Sequence, residues 1–436
     1  MPKTYADVKL RPEIKTAIPG PKSQAIIARD AKHASPSYIK EYPLVVERGE
    51  GSWIYDADGN RYLDLMAGIA TASTGHAHPK VVKAIQDAAA KFLHICATDF
   101  YYESLVQVFE KFANYVPQMG PKKIFLGNSG SEVVDGAMKL ARHHTKRHRF
   151  IAFKGGFHGR TYGAISINAS KNYYKAGFGP TVPGVTLAPY NCDVEEVFDK
   201  SIFYDDLDPK DVAAIILEPV LGEGGYVVPE KKFLQDLRAL CDKHGILLIF
   251  DEVQCGVGRT GHMFASEYFG VAPDIYLSAK GIASGMPLAA IVAKESVCTW
   301  PRASHGSTYG GNPVSCAASV ATLDIVEQLL PDVRSNGDYF MQGLRKLQSR
   351  HASISDVRGL GYMIGVEFRD PKTREPAKQY MVDIEQTGFR KGLLLLGCGK
   401  STIRLAPPLV LNRHEIDVAL GILDETLSEL DRKYGY

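Results

Sequence analysis

Short apolar runs, each closed by polar residues or glycine, constrain this chain more than any other feature. Lys122–Leu126 (KKIFL), Phe150–Phe153 (FIAF), Ala213–Leu217 (AAIIL), Ile246–Phe250 (ILLIF), Ile275–Leu277 and Leu288–Ala293 (LAAIVA) are continuous rather than alternating. A strand buried on both faces needs that pattern, so they predict a mostly parallel sheet covered by helices on both sides. Amphipathic stretches lie between them. One runs from Glu132, with Val133, Ala137, Leu140 and Ala141 on one face. Another opens at Pro229, buries Phe233, Leu234, Leu237, Leu240 and Cys241, and stops at Gly245. A different unit follows Asn336: a helix over 338–350, strands MIGVEF and LLLL, and a closing helix over 413–430. The strand-like pieces YPLVVERG and SWIYDADGNRYLDL, with a turn at Asp58-Gly59-Asn60, are expected to join that unit in space, preceded by an arm of about 30 residues.

Ligands of open α/β sheets bind beyond the carboxyl ends of the strands. Here those ends carry Gly127–Glu132 (GNSGSE), Lys154–Thr161 (KGGFHGRT), Glu218-Pro219 with Gly222–Gly225 (GEGG), Asp251–Gln254 (DEVQ) and Ala279-Lys280-Gly281. Nine of the 41 glycines sit in these strings, where backbone must approach a ligand closely. A Ser-Gly-Ser turn opening a helix offers N–H groups to a phosphate, although the same turn also serves as a plain N-cap. A strand-terminal Asp can hold a cationic ring nitrogen. A strand-terminal Lys can bond an aldehyde if its pKa is lowered. Together these meet the demands of pyridoxal phosphate.

Other classes fit poorly. Lys+Arg minus Asp+Glu is 51 − 49 = +2, which argues against a nucleic-acid partner. Residues 1–30 contain no apolar leader, and the longest apolar runs fall far short of the roughly 18 residues of a membrane span. The seven cysteines are scattered with no CxxC pair, the pattern of reduced thiols in a cytoplasmic protein. Gly256–Gly261 (GVGRTG) matches a dinucleotide fingerprint, but five residues separate it from its strand and no acid stands about 20 residues on. Gly399-Lys400-Ser401 lacks the first glycine of a Walker A loop, since Leu394 stands there. His76, His78 and His158 do not make a metal set, and no metal is expected.

The strings FLGNSGSEVVDGAMKLAR, GGFHGRT, LEPVLGEGG, ILLIFDEVQCGVGRTG, APDIYLSAKGIASGMPLA, HGSTYGGNP, VRGLGYMIGVEF and IRLAPPLV, in this order, resemble the class III pyridoxal-phosphate aminotransferases. The likeness runs from about Tyr42 to the end. PGPKSQ and LMAGIATASTGHAHP are closest in character to the 4-aminobutyrate enzymes. The resemblance implies the α/β fold type I of pyridoxal-phosphate transferases: a large domain with a mainly parallel sheet sandwiched by helices, and a smaller α+β domain. The boundaries expected are 1–75 for the arm and part of the small domain, 76–335 for the large domain and 336–436 for the rest of the small one. It also implies a homodimer with shared active sites.

Residue roles follow by motif. Lys280 resembles the lysine that carries the cofactor, and Asp251 the acid on its ring nitrogen. Val253 and Phe157 would cover the ring faces, and Gln254 would bond the ring hydroxyl oxygen. Ser129, Gly130 and Ser131 would hold the phosphate, His158 joins the cofactor set, and Thr308 would reach the phosphate from the partner subunit. Arg404 resembles the arginine for an α-carboxylate and Glu223 the acid that covers it. Arg160 resembles the grip on a distal carboxylate, and Ile69 stands where ornithine enzymes carry tyrosine. Glu218 fits two readings, a buried structural acid or a neighbour that tunes Arg160. The implied activity is transfer of an amino group from an ω-amino acid such as 4-aminobutyrate to 2-oxoglutarate by a ping-pong mechanism. The alternatives are an ornithine or acetylornithine aminotransferase, or an amino-acid racemase or epimerase on the same scaffold. Lys280, Asp251 and Gln254 argue against a non-catalytic binding protein.

Overall fold

A computed structural model describes residues 11–436 of the chain. The chain opens with helix α1 (Pro21–Asp30), then strands β1 (Val46–Glu50), β2 (Trp53–Asp56) and β3 (Arg61–Asp64). The expected arm is tied down: Glu13 exchanges backbone hydrogen bonds with Arg61, and the Lys22 and Ser23 N–H groups at the start of α1 donate to the Asp58 carboxylate at 2.9 Å each. Asp58 thus links the β2–β3 turn to a helix N-terminus, which favours negative charge. Residues 1–10 of that arm lie outside the described residues.

One helical turn, α2 (Ala67–Ala70), follows β3, and it is left-handed: φ is 47° at Ala67, 60° at Gly68, 65° at Ile69 and 59° at Ala70. Such geometry costs a non-glycine residue about 1–2 kcal/mol. The chain then runs through α3 (Pro79–Ala89) and α4 (Glu103–Asn114) into the central unit.

That unit alternates strand and helix: β4 (Lys122–Gly127), α5 (Gly130–Thr145), β5 (Arg149–Phe153), α6 (Tyr162–Ile167), β6 (Val185–Ala188), β7 (Val212–Leu217), α7 (Lys231–His244), β8 (Leu247–Asp251), α8 (Ala265–Phe269), β9 (Ile275–Ser278) and β10 (Ala289–Lys294). The seven strands form one sheet in the order β4-β10-β9-β8-β7-β5-β6. All run parallel except β10, which is antiparallel to both neighbours. Every residue of β7, β8 and β9 is buried, as continuous apolar runs require. The six expected strands are present; β6 is a seventh, at the edge, where two of its four residues are only half-buried and a third is exposed. Helix α7 starts two residues beyond Pro229, with Glu230 as N-cap, and stops at Gly245 in the left-handed conformation (φ 62°).

The helix expected over 338–350 is the last part of a much longer one, α9 (Pro313–Gln348), capped by Asn312. The chain therefore passes residue 336 inside a continuous helix, with no linker. Among the described residues only α9 is long and apolar enough to cross a bilayer, and more than half of its apolar window is buried against the rest of the chain. Beyond it come β11 (Ile354–Leu360), β12 (Met363–Phe368), α10 (Lys378–Arg390), β13 (Leu393–Leu394), β14 (Leu396–Cys398), β15 (Thr402–Leu405) and α11 (Arg413–Tyr434). The LLLL run, expected as one strand, is divided between two sheets. β13 pairs in parallel with β3, and β14 joins the antiparallel sheet β11-β12-β15-β14. Leu395, fully buried between them, accepts a hydrogen bond from Tyr42 at its carbonyl. The β3–β13 pairing brings N- and C-terminal segments into one sheet.

Candidate active site

Because six strands of the central sheet point the same way, their last residues share one edge, and the polar strings meet there. A cavity of about 340 Å³ opens at that edge, lined among others by Ser129, Gly130, Ser131, Asp251, Val253 and Lys280. A second cavity, of about 1100 Å³, adjoins it; Thr71, Phe157, Arg160, Gln254 and Lys280 line both. The second is walled by Ile69, Lys171, Glu223 and Arg404.

The smaller chamber begins at the N-terminus of α5. Ser129 is the N-cap, its hydroxyl accepting from the Glu132 N–H at 3.4 Å, while Glu132 accepts from the Asn128 N–H at 2.7 Å. The capping role and the position on the cavity wall coexist. The Gly130 and Ser131 N–H groups belong to the first turn and have no intrahelical acceptor. A Cβ on Gly130 would lie 3.1 Å from Val253, so any other residue there would have to push the Val253 side chain aside by a few tenths of an ångström. Ser131 anchors the next strand end: its Oγ accepts from the Arg160 N–H at 3.0 Å. Gly159 (φ 130°) lies against Ser131, where a Cβ would fall 2.1 Å from that Oγ.

Asp251 closes β8 and is buried. Its Oδ2 lies 2.7 Å from His158 Nδ1, and its Oδ1 accepts from the Val253 N–H at 3.1 Å. Burial works against a charge on His158, but the hydrogen bond and charge of Asp251, with Glu218 behind, outweigh it and raise the imidazole pKa. The other ring nitrogen of His158, Nε2, is buried with no hydrogen-bond partner among the described residues. Glu218 is a buried bridge between strand ends. Its carboxylate accepts from the Phe157 and Gly222 N–H groups at 2.9 Å each, joining the β5 and β7 ends. Burial pushes its pKa up to about 7; His158 opposes this and Asp251 adds to it.

Lys280 follows β9 with φ 46°, a left-handed conformation that lysine rarely adopts. Burial, reinforced by the charge of Arg404, brings its amine down to about 8 against the pull of Glu218, Asp251 and Glu223. Gln254 accepts from the Tyr226 hydroxyl at 3.1 Å and packs on Gly222, where a Cβ would collide with its amide. These residues fit pyridoxal phosphate: open N–H groups at a helix start for a phosphate, a buried acid for a ring nitrogen, and a lysine able to lose its proton near neutrality. Thr308 is exposed and lines neither chamber of its own chain.

In the larger chamber Glu223 Oε2 lies 3.1 Å from Arg404 Nη1, and both residues are buried. The Arg160 guanidinium sits 5.2 Å from the centre of the Phe157 ring and 5.1 Å from that of Tyr174. Ile69, 44% exposed, projects from the left-handed turn. Two residues escaped sequence reasoning. Lys171 forms an ion pair with Glu223 Oε1, and the Tyr174 hydroxyl approaches that oxygen at 3.4 Å. Both lie on the irregular segment after α6, where no periodicity marks them.

The set-aside motifs have structural uses. The GVGRTG loop packs under α9, where a Cβ on Gly258 would lie 2.6 Å from Val326. Gly399, in the turn between β14 and β15, donates its N–H to the Glu223 carbonyl at 2.8 Å. His76 pairs with Asp64 at 2.7 Å, and His78 caps α3.

The family Aminotransferase class-III matches residues 35–427. The 5-aminovalerate aminotransferase DavT of Pseudomonas aeruginosa is 40% identical over 402 residues, covering 89% of this chain and 94% of the relative. The 4-aminobutyrate aminotransferase GabT of Escherichia coli is 39% identical over 401 residues, again covering 89% and 94%. An acetylornithine aminotransferase and an alanine/serine racemase are also similar, at 38% and 36% identity. Among solved structures, an amine transaminase of an uncultivated Pseudomonas species with pyridoxal phosphate bound superimposes with a TM-score of 0.84 at 31% identity, covering 91% of this chain and 97% of that one. Sequence match and shared fold extend across both chambers and the sheet edge that builds them, and the chain belongs to the class-III aminotransferases, enzymes that depend on pyridoxal phosphate.

Proposed function

We propose that this enzyme takes the amino group of an ω-amino acid with a distal carboxylate, such as 4-aminobutyrate or 5-aminovalerate, and passes it to 2-oxoglutarate in two successive half-reactions. The observation that carries this reading is the buried Glu223–Arg404 pair beside Lys280. With Arg404 covered by Glu223, the chamber suits a donor that has no α-carboxylate, and Arg160 meets the donor's far carboxylate. When 2-oxoglutarate enters, its α-carboxylate takes Arg404 and its second carboxylate takes Arg160.

Pyridoxal phosphate, when bound, supplies an aldehyde to receive the amino group and a ring to spread the charge left by proton removal. The chain does the rest. The start of α5, Ser129 to Ser131, holds the phosphate. Asp251, fixed by His158 and the Val253 N–H, keeps a negative charge at the ring nitrogen. Val253 and Phe157 would confine the ring, and Gln254 would bond its hydroxyl oxygen. Lys280 Nζ, buried and able to be neutral near pH 8, would take and hold the proton removed from the donor carbon. Thr308, exposed on this chain, completes the phosphate site of a second copy, so the working unit is a homodimer. The seven unpaired cysteines support a cytoplasmic location.

The test is an assay of the purified holoenzyme with 4-aminobutyrate, 5-aminovalerate, ornithine, N-acetylornithine and D- or L-leucine, with and without 2-oxoglutarate. Glutamate formation fastest with 4-aminobutyrate or 5-aminovalerate supports the reading. Preference for ornithine or N-acetylornithine, or inversion of leucine without 2-oxoglutarate, overturns it.

A further inference from the structure

Glu223 is held by two cations, not one. Arg404 Nη1 lies on Oε2 at 3.1 Å, and Lys171 Nζ lies on Oε1. Glu223 is 8% exposed, whereas the Lys171 side chain is 32% exposed and lines the larger chamber. The pair on each oxygen is separate, so breaking one leaves the other intact. Arg404 is under-used: its Nε is buried without a hydrogen-bond partner among the described residues.

This geometry bears on how Arg404 changes partners. When the α-carboxylate of the acceptor takes Arg404, Glu223 must give it up. A buried carboxylate stripped of its only counter-charge is strongly destabilised. Lys171, paired on Oε1, would keep Glu223 neutralised in that state. Burial alone would lower the Lys171 amine pKa, yet the hydrogen bond and charge of Glu223 hold it raised, so the cation is present when needed.

We infer that Lys171 is a positioning residue that retains Glu223 when Arg404 is released, and so selectively favours binding of the dicarboxylate acceptor over the monocarboxylate donor. The inference rests on the proposed roles of Glu223 and Arg404. Lys171 acts through Glu223 and does not touch the reacting atoms.

The experiment compares wild type, Lys171→Met and Lys171→Arg holoenzymes. Calorimetry measures the Kd of glutarate, a non-reacting dicarboxylate, and of butyrate, a monocarboxylate. Separate half-reactions measure KM for 2-oxoglutarate and for 4-aminobutyrate. In Lys171→Met the glutarate Kd and the 2-oxoglutarate KM should rise at least tenfold, while butyrate and 4-aminobutyrate change less than threefold. Lys171→Arg should restore at least half of the loss on a logarithmic scale. Equal weakening of glutarate and butyrate would mean that Lys171 reads the distal carboxylate itself, and overturns the inference, as does a glutarate change under threefold or a failure of Lys171→Arg to rescue. If wild type binds glutarate no better than butyrate, the two-carboxylate reading of the site fails, whatever the variants do.

Discussion

His158 Nδ1 lies 2.7 Å from Asp251 Oδ2, with both side chains almost fully buried. The acid proposed to face a ring nitrogen is thus already held on one side by a buried imidazole. Its remaining oxygen is aimed by the Val253 N–H. The orientation of Asp251 is built into the chain. Asp251→Asn should leave cofactor binding largely intact and slow donor-proton removal by about 10²–10³-fold, the scale of losing one charge-stabilising group. His158→Ala should slow it by a smaller factor, about tenfold. Single-turnover spectroscopy separates the two, and an Asp251→Asn enzyme with undiminished rate would show that this carboxylate does not carry the charge.

Lys280 titrates near 8, so at pH 8 about half of it is neutral, against roughly 0.3% for a lysine at the ordinary 10.5. In cofactor-free protein an amine-reactive reagent should therefore modify Lys280 ahead of surface lysines, with a pH midpoint near 8, read by peptide mass spectrometry. Lys280→Ala should abolish turnover and the covalent capture of cofactor by borohydride. Retained capture would place the attachment elsewhere.

Glu223→Ser removes the group that covers Arg404. Donors with an α-carboxylate should gain on 4-aminobutyrate by at least tenfold in kcat/KM. An unchanged ratio would mean that the pair is only a structural ion pair.

Glu252 is fully buried behind Asp251, accepting from the Ala265 and Ser266 N–H groups. Burial raises its pKa from 4.5 to about 7, the two N–H bonds opposing. The folded chain thus keeps this proton up to about pH 7, while the unfolded chain releases it near 4.5. The folded state binds more protons between those values, so the contribution is full below pH 4.5 and is lost as pH rises to about 7. Relative to wild type, Glu252→Gln should gain about 2–3 kcal/mol between pH 5 and 8, whatever its constant offset. Denaturant unfolding across that range checks it; parallel curves would refute the assignment.

The legible and illegible parts of the site differ for a physical reason. Asp251, Lys280 and Glu218 end or follow apolar strands, and parallel strands bring their carboxyl ends to one edge, so linear order sufficed to gather them. Lys171 and Tyr174 sit on a segment with no repeating pattern, and only the folded path carries them to Glu223. The same limit split the LLLL run between two sheets, because four leucines in a row do not say where the chain turns. It also hid the length of α9, whose Pro331 looks like a stop but is accommodated inside the helix.

The left-handed turn at 67–70 has one more consequence. Isoleucine, branched at Cβ, is among the residues least at ease with positive φ, yet Ile69 occupies φ 65° and faces the chamber. It is held there against its own preference, on the wall of the chamber proposed to take the substrate. Exchanging it for a less branched side chain should relieve the backbone while redrawing that wall. Variants at residue 69 should accordingly shift the ratio of kcat/KM between donors while leaving the denaturant midpoint at or above that of wild type, a pair of measurements that tests both halves of the idea.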